Sequence, residues 1–269
     1  MRIRVVDAFA ERAFGGNPAA VCVLAAGEWP DAGWMQDVAA EMNLSETAFA
    51  RPSEQSDADW DLRWFTPTIE VDMCGHATLA TAHVLAGDGL VGGKVRFSTR
   101  SGILLASVGD AITLDFPISP TTEIAVPDGL VEALGVQPES VHSTGALTDV
   151  LVVLPDEAAV RAITPDVGAV EAVNRRDGNR GTIVTAPGQE YDFVSRFFAP
   201  AAGIPEDPVC GSAHTALASY WAGRLGRDDL VGYQASDRGG VLHVTAAGDR
   251  VYLSGSAVTT LDGELLMRP

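Results

Sequence analysis

The chain has 269 residues, of which 46% are hydrophobic and 20% are charged, so it is long enough to bury one large core or two moderate ones. It carries 36 acidic residues against 18 lysines and arginines, which gives a net charge of −18 at pH 7. Because nucleic acids and anionic membranes are bound by basic surfaces, this charge argues against both as partners and favours a small molecule.

The sequence carries few signals of targeting or oxidation. Its first residues have the pattern of a strand rather than of a signal peptide, and its longest apolar runs, such as Val150–Leu154, are too short to cross a bilayer. Three cysteines without a secretion signal fit reduced thiols better than a disulfide framework. These features predict a soluble, cytoplasmic protein.

In chain order, short strands alternate with a few helices. The first half predicts strands at Arg2–Phe9, Ala19–Leu24, Asn43–Ala50, Asp61–Phe65, Lys94–Thr99, Ile103–Val108 and Ala111–Phe116, and helices at Asp31–Met42 and Gly75–Ala86. The second half predicts helices near 129–134, 157–163, 167–173 and from Ser212, and strands at 150–154, 181–185, 191–198, 241–246, 250–253 and 257–260. Many closely spaced strands around two apolar helices predict an α/β fold with mostly antiparallel sheets, each wrapped on a helix.

One motif occurs twice. An aromatic residue, a proline and a short acidic spacer precede Cys74-Gly75 in the first half and Cys210-Gly211 in the second, and an Ala/Thr/Leu-rich helix follows each pair. The copies lie 136 residues apart in the numbering, about half the chain, which indicates an internal duplication and two pseudo-symmetric lobes. We place the lobes at residues 1–117 and 118–269, with the proline-rich stretch Pro117–Pro127 as linker, although the last strands could return to the first lobe. A site assembled where two lobes meet is the economical expectation.

The Cys-Gly turns supply most of the candidate chemistry. A helix N-terminus favours a bound carboxylate and lowers the pKa of a nearby thiol, so Cys74 and Cys210 could act as a pair of acid/base thiols in a cofactor-free racemase. The alternative is that both are small buried residues under a turn. His76 could face a substrate or be structural, and Asp207 could act in the site or cap the helix that follows.

Two residues outside the turns are also candidates. Glu46 shares a strand face with Leu44 and Ala48 if residues 43–50 form a strand, and an apolar setting suits a carboxyl group that gives and takes a proton. An exposed glutamate at a strand edge explains the pattern as well. Asn17 could bind a ligand, but Gly16-Asn17-Pro18 is also ordinary turn chemistry.

Several cofactor signatures are missing from the sequence. Lys94 is the one lysine, there is no Gly-x-Gly-x-x-Gly after a strand, and no phosphate-binding loop is present. Cys210 and His214 have a spacing that could hold a metal, but a second ligand pair of comparable spacing is lacking. We therefore expect chemistry without a cofactor or a metal.

At these motifs the chain resembles the phenazine-biosynthesis PhzF-like isomerases, which have the diaminopimelate epimerase-like fold. The motifs that carry the resemblance, in order, are Asp7-Ala-Phe with Gly16-Asn-Pro18, Asn43-Leu-Ser-Glu46-Thr, Cys74-Gly-His-Ala-Thr78 and Glu206-Asp-Pro-Val-Cys-Gly-Ser-Ala-His214. The resemblance covers essentially the whole length. It implies two lobes, each a barrel-like sheet around a central helix, in a homodimer that needs no metal or organic cofactor.

The resemblance also implies roles for particular residues. A glutamate at the position of Glu46 shuttles a proton between two carbons of one small carboxylate-bearing substrate, and residues matching His76, Asp207 and Ser212 orient the substrate and assist. The expected substrate-binding set is Asn17, Cys74, Gly75, Cys210, Gly211 and Ser212. Two alternatives stay open: a two-thiol amino-acid racemase or epimerase, as in relatives of the superfamily with paired cysteines, and a non-catalytic metabolite-binding protein. The substrate itself is not predicted.

Overall fold

The computed structural model describes residues 1–267 and has no disulfide among them, since Cys22, Cys74 and Cys210 are all free and buried. Contacts group the chain into two compact units. The first comprises Met1–Asp115 and the segment from Ser254 onward, and the second comprises Phe116–Leu253. Within the described residues, no helix is both long and apolar enough to span a bilayer.

The first unit begins with a β-hairpin and contains two helices. Its strands are β1 (Arg2–Ala8), β2 (Asn17–Val23), β3 (Glu46–Pro52), β4 (Trp60–Phe65), β5 (Glu70–Val71), β6 (Gly93–Thr99), β7 (Gly102–Val108), β8 (Ile112–Pro117) and, from the end of the chain, β18 (Ala257–Glu264). Its helices are α1 (Ala32–Met42) and α2 (Gly75–Gly87).

The second unit contains four helices and shorter strands. Its strands are β9 (Thr122–Ile124), β10 (Ser140–Ser143), β11 (Asp149–Val153), β12 (Gly181–Pro187), β13 (Phe193–Ala199), β14 (Ile204–Asp207), β15 (Asp229–Gln234), β16 (Gly240–Ala247) and β17 (Arg250–Gly255). Its helices are α3 (Leu130–Leu134), α4 (Glu157–Ala162), α5 (Val167–Asp177) and α6 (Gly211–Leu225).

The two units share one strand topology. In the first, the strands pair in the order β18-β1-β2-β3-β4-β6-β7-β8. In the second, the order is β9-β10-β11-β12-β13-β15-β16. In both, the third and fifth joins are parallel and the others are antiparallel, so the duplication read from the motifs extends to the whole strand order.

The parallel joins explain the position of each Cys-Gly helix. Parallel neighbours require a crossover connection, and α2 supplies it between β4 and β6 while α6 supplies it between β13 and β15. Ten of the 13 residues of α2 are buried, and this helix packs against β1, β2, β3, β7 and β18. The apolar sequence on all sides of α2 is therefore explained by a sheet that wraps around it.

The sequence patterns did not predict several strands of the structure. Pro117–Pro127, which we expected to be a linker, contains β9, and β9 pairs with β10. A short strand with one partner at the end of a sheet tolerates neighbouring prolines, and the role of this stretch as a linker stays a prediction. The strands β10 and β15 were also not predicted. The boundary between residues 117 and 118 stays a prediction.

Candidate active site

Glu46 is buried at the start of β3. Its relative exposure is 8%, because β3 lies between β2 and β4 and packs on α2. Oε2 of Glu46 lies 3.0 Å from Nε2 of His76, at ion-pair distance. Oε2 accepts no hydrogen bond from the described residues. A buried carboxylate oxygen without a donor is costly for folding and available to a reactant.

Asn17 and Ser45 orient the imidazole of His76. Nδ2 of Asn17 lies 3.2 Å from Nδ1 of His76, and Oδ1 of Asn17 accepts a hydrogen bond from the Ser45 hydroxyl at 2.9 Å. When the amide donates to Nδ1, the neutral ring carries its proton on Nε2, the nitrogen that faces Glu46. His76 is 5% exposed and Asn17 is completely buried, so this orientation is fixed by packing as well as by hydrogen bonds.

Cys74 joins the same cluster from the N-cap position of α2. Its Sγ lies 3.5 Å from Nδ1 of His76 and 4.0 Å from Nε2, and the thiol is 6% exposed. Its backbone is extended, with φ −147° and ψ 109°, and its side chain makes no capping hydrogen bond. The first cluster therefore consists of a carboxylate, an imidazole, a thiol and an amide at the start of one buried helix.

The second Cys-Gly turn is held by Gln234 at the end of β15. Oε1 of Gln234 accepts a hydrogen bond from the backbone N–H of Cys210 at 2.9 Å, and its Nε2 donates to the backbone carbonyl of Asp207 at 2.6 Å. The carboxylate of Asp207 accepts from the N–H of Val209 at 3.0 Å. Asp207 thus braces the turn, whereas the N-cap of α6 is Cys210.

An arginine that sequence reasoning missed reaches this turn. Nε of Arg180 donates to Oδ1 of Asp149 at 2.9 Å, and Nη1 donates to Oγ of Ser212 at 3.0 Å. Burial acts to lower the pKa of Arg180, but the hydrogen bond to Asp149 and the negative charges of Asp149 and Asp207 raise it on balance. A permanent positive charge therefore lies beside the first turn of α6.

The thiol at this turn is not activated. Burial raises the pKa of Cys210 to about 12, and the negative charge of Asp207 adds to the effect, while Arg180 opposes it. The expectation that the helix N-terminus lowers the pKa of this thiol was wrong, because the loss of hydration outweighs the helix dipole. The neighbouring His214 makes a 2.8 Å contact from Nδ1 to the carbonyl of Cys210, and burial lowers its pKa to about 4.

The structure brings the proposed residues together as two groups, one in each unit. Asn17, Glu46, Cys74, Gly75 and His76 form the first, and Asp207, Cys210, Gly211 and Ser212 form the second. In each unit a Cys-Gly helix start lies next to an acidic side chain, Glu46 in the first and Asp207 in the second. Sequence reasoning did not identify Asp149, Arg180 or Gln234.

Comparison with known proteins places the chain in a family. A family model described as "phenazine biosynthesis-like protein" matches residues 6–263. The chain belongs to this PhzC-PhzF family. An uncharacterized isomerase of Halalkalibacterium halodurans is 47% identical over 98% of both chains. The expected class is confirmed: this PhzF-like protein is an isomerase.

Solved structures confirm the fold. A PhzF-family phenazine biosynthesis protein from Enterococcus faecalis superposes with a TM-score of 0.91 at 42% identity, over 99% of both chains. A hydroxyproline epimerase from Agrobacterium vitis superposes with a TM-score of 0.63 over 98% of this chain and 91% of its own, at 14% identity. This second likeness concerns the fold alone. The PhzF-like chain therefore has the predicted diaminopimelate epimerase-like α/β fold.

Proposed function

We propose that this PhzF-like protein shifts a proton between two carbons of a small carboxylate-bearing metabolite, without a cofactor, and that Glu46 is the general acid/base. The observation that carries the proposal is the buried Oε2 of Glu46, which accepts no hydrogen bond from the described residues and faces the imidazole of His76 at 3.0 Å. A base must reach the proton that it abstracts, and this oxygen is available for that purpose.

The proposed reaction conserves atoms and electrons. The carboxylate of Glu46 takes a proton from a substrate carbon, and the electron pair of that C–H bond moves into a shifted double bond. The resulting carboxylic acid of Glu46 then returns a proton to a second carbon. The net change is an isomerisation. The Nε2–H group of a neutral His76 donates a hydrogen bond toward the reacting region and stabilises the negative charge that develops there.

We also propose that the second group contributes to substrate binding. Ser212 is already a hydrogen-bond partner of Arg180, and Arg180 supplies the positive charge that a substrate carboxylate requires. Asp207 would orient a substrate donor group. The cytoplasmic location and the homodimer implied by the resemblance stay predictions.

The two-thiol racemase is the less favoured alternative. One observation supports it, the 3.5 Å contact between Cys74 and His76, since an adjacent imidazole activates a thiol. The mechanism needs a second reactive thiol, however, and the raised pKa of Cys210 argues against that role. A non-catalytic binding protein has no use for a buried carboxylate without a donor.

Deuterium uptake in heavy water, read by mass spectrometry, tests these proposals. The side chain of Glu46 keeps 11% of its surface exposed, so a proton held there exchanges with the medium. We would offer the dihydro-hydroxyanthranilate substrate implied by the resemblance, together with proline, hydroxyproline and diaminopimelate. We expect Glu46→Gln to slow uptake by a factor of about 10² to 10⁴, and Glu41→Gln, which changes an exposed glutamate of the same unit, to leave it unchanged.

The remaining variants separate the candidate functions. Uptake that survives in Glu46→Gln but is lost in the double variant Cys74→Ser/Cys210→Ser would contradict the glutamate mechanism and support the racemase. Uptake from none of the compounds, with tight binding of one of them, would support the binding protein. Ser212→Ala and Asp207→Asn are expected to raise KM more than they lower kcat, as loss of substrate binding predicts.

A further inference from the structure

Glu46, Cys74 and His76 form a cluster with the composition of a transition-metal site. One ligand atom from each residue lies within 4.8 Å of the other two, and all three residues are buried. Among residues 1–267 this is the one such group of three. A carboxylate, an imidazole and a thiol together favour zinc or cobalt, whereas magnesium and calcium prefer oxygen ligands alone.

The spacing of these atoms is close to that of ligands around one ion. Zinc binds sulfur at about 2.3 Å and nitrogen or oxygen at about 2.0–2.2 Å, so tetrahedral ligands lie about 3.6 Å apart for sulfur and nitrogen and about 3.4 Å apart for nitrogen and oxygen. Nε2 of His76 lies 4.0 Å from Sγ of Cys74 and 3.0 Å from Oε2 of Glu46. Both differ from the ideal spacing by less than half an ångström.

The surroundings of the cluster also suit a metal. A metal-bound histidine donates its other ring N–H to an acceptor, and Asn17 lies 3.2 Å from Nδ1 of His76, where its amide can turn Oδ1 toward that N–H and donate from Nδ2 to the Ser45 hydroxyl instead. Oε2 of Glu46 accepts no hydrogen bond from residues 1–267 that an ion would have to displace. An ion of charge +2 with one thiolate and one carboxylate is neutral overall, so burial of the site carries a smaller electrostatic cost.

We propose that Glu46, Cys74 and His76 bind a single zinc ion with a fourth position left for water, and that this ion inhibits the enzyme. On binding, the thiol of Cys74 releases its proton to solvent, the ring proton of His76 moves from Nε2 to Nδ1 by exchange with solvent, and no electron is transferred. The occupied carboxylate oxygen can no longer take a proton from a substrate. Metal binding does not depend on the proposed function, whereas inhibition rests on it.

Cobalt absorption tests the binding directly. We would treat the full-length protein with a chelator, dialyse it, and titrate it with Co²⁺ under anaerobic conditions. We expect one equivalent to bind, with a thiolate-to-cobalt charge-transfer band that Zn²⁺ abolishes and Mg²⁺ does not. The band should be absent in Cys74→Ser, and Glu46→Gln should bind cobalt at least about tenfold more weakly.

The second Cys-Gly turn provides the matched control. Cys210 occupies the same N-cap position, but residue 212 is serine where the first copy has His76, so the band is expected to persist in Cys210→Ser and in Cys22→Ser. A band that persists in Cys74→Ser, or no band in the native protein, would overturn the proposal. If Cys74→Ser does not fold, unchanged cobalt affinity in Glu46→Gln would overturn it in the same way.

The deuterium assay reports inhibition separately. If zinc binds and the proposed function is correct, one equivalent should stop uptake and a chelator should restore it. Cobalt binding without any activity in the metal-free enzyme would contradict the proposed function and leave the metal site standing. Normal activity without cobalt binding would overturn the metal site and leave the proposed function standing.

Discussion

Burial determines which groups beside the second Cys-Gly turn carry charge. His214 is completely buried and its pKa is lowered to about 4, while burial raises the pKa of Cys210 to about 12. Both are therefore uncharged at neutral pH. The positive charge of this turn comes from Arg180, which keeps its proton through Asp149. An anionic ligand at α6 would thus meet a guanidinium and a hydroxyl rather than an imidazolium or a thiolate.

The burial of His214 predicts how stability changes with pH. In the unfolded chain a histidine binds its proton near pH 6.5, but the folded protein binds it only near pH 4, where Nε2 would gain a proton without an acceptor among the described residues. The unfolded state therefore binds more protons in this range, and stability falls as pH decreases from about 6.5 to about 4. The full effect is roughly 3 kcal/mol.

Chemical denaturation across this pH range measures the effect. His214→Asn keeps a donor near the carbonyl of Cys210 but cannot titrate, so its free energy of unfolding should fall less steeply than that of the native protein. His243→Asn removes an exposed imidazole from β16 and should keep the native slope. Equal slopes in His214→Asn and the native protein would show that this histidine does not contribute.

At the scale of elements, β15 and α6 are coupled through one aromatic ring. Phe193 of β13 stacks on Trp221 of α6, with centroids 5.9 Å apart and planes at 4°, and it pairs in register with Gly232 of β15. A Cβ at Gly232 would lie 2.5 Å from Cε2 of Phe193. The ring is completely buried and a Cβ this close would force it to shift, so this glycine is required by close packing.

We therefore expect Gly232→Ala to lower the free energy of unfolding by about 1–3 kcal/mol, as overpacked cores do. Gly223→Ala is the matched control. It lies on the exposed side of α6, with nothing within 4 Å of its Cβ, and should stabilise the protein by about 1 kcal/mol through helix propensity. Thermal unfolding compares the two variants. A neutral Gly232→Ala would mean that Phe193 relocates at no cost.

Local sequence patterns predicted the elements that carry the motifs, and failed where pairing is decided at a distance. The apolar run at Gly75–Ala86 predicted α2 to within one residue, since a helix apolar on all sides must be buried. The strands β9 and β15 were missed. Prolines surround β9 and β15 contains Gly232, and neither residue type favours a strand. Pairing with β10 and with β13 stabilises these two strands where the local sequence does not.

The candidate site was likewise predictable where a local motif marks it, and not where distant residues meet. Repetition of the Cys-Gly motif identified both helix starts without any structure. Burial of Glu46 was left open, because alternation assigns a side chain to a face of a strand but does not say what covers that face. The ion pair of Arg180 with Asp149 joins residues 31 positions apart, since Asp149 begins β11 and Arg180 directly precedes the parallel strand β12, and no spacing rule in a single sequence points to it.

At the scale of the whole molecule, the first unit is discontinuous in sequence. β18 pairs with β1 along its whole length, from Arg2 with Glu264 to Ala8 with Ala257. The amino group of Met1 donates to the carbonyl of Leu265 at 2.8 Å. Each unit has its own core of buried apolar side chains, around α1 in the first and around α3, α4 and α5 in the second. The end of the chain therefore completes a sheet that its beginning starts.

A chain that ends at Gly255 should consequently lose order in the first unit alone. Without β18, the outer edge of β1 has no partner and Arg4, which is 7% exposed, loses Asp262. Hydrogen exchange read by mass spectrometry should show amides of β1, β2 and β3 exchanging at least about tenfold faster, while β11, β12 and β13 keep their protection.

Asp262→Asn tests the contribution of a charged side chain of β18 without removing the strand. This change removes the ion pairs of a half-exposed carboxylate and leaves the strand in place, so its effect on stability should be small and the exchange pattern should stay nearly native. Equal acceleration in both units of the truncated chain would mean that they unfold as one cooperative body. Unchanged exchange throughout would mean that β1 does not need the pairing with β18, and that the unit held by the first Cys-Gly helix is complete without the end of the chain.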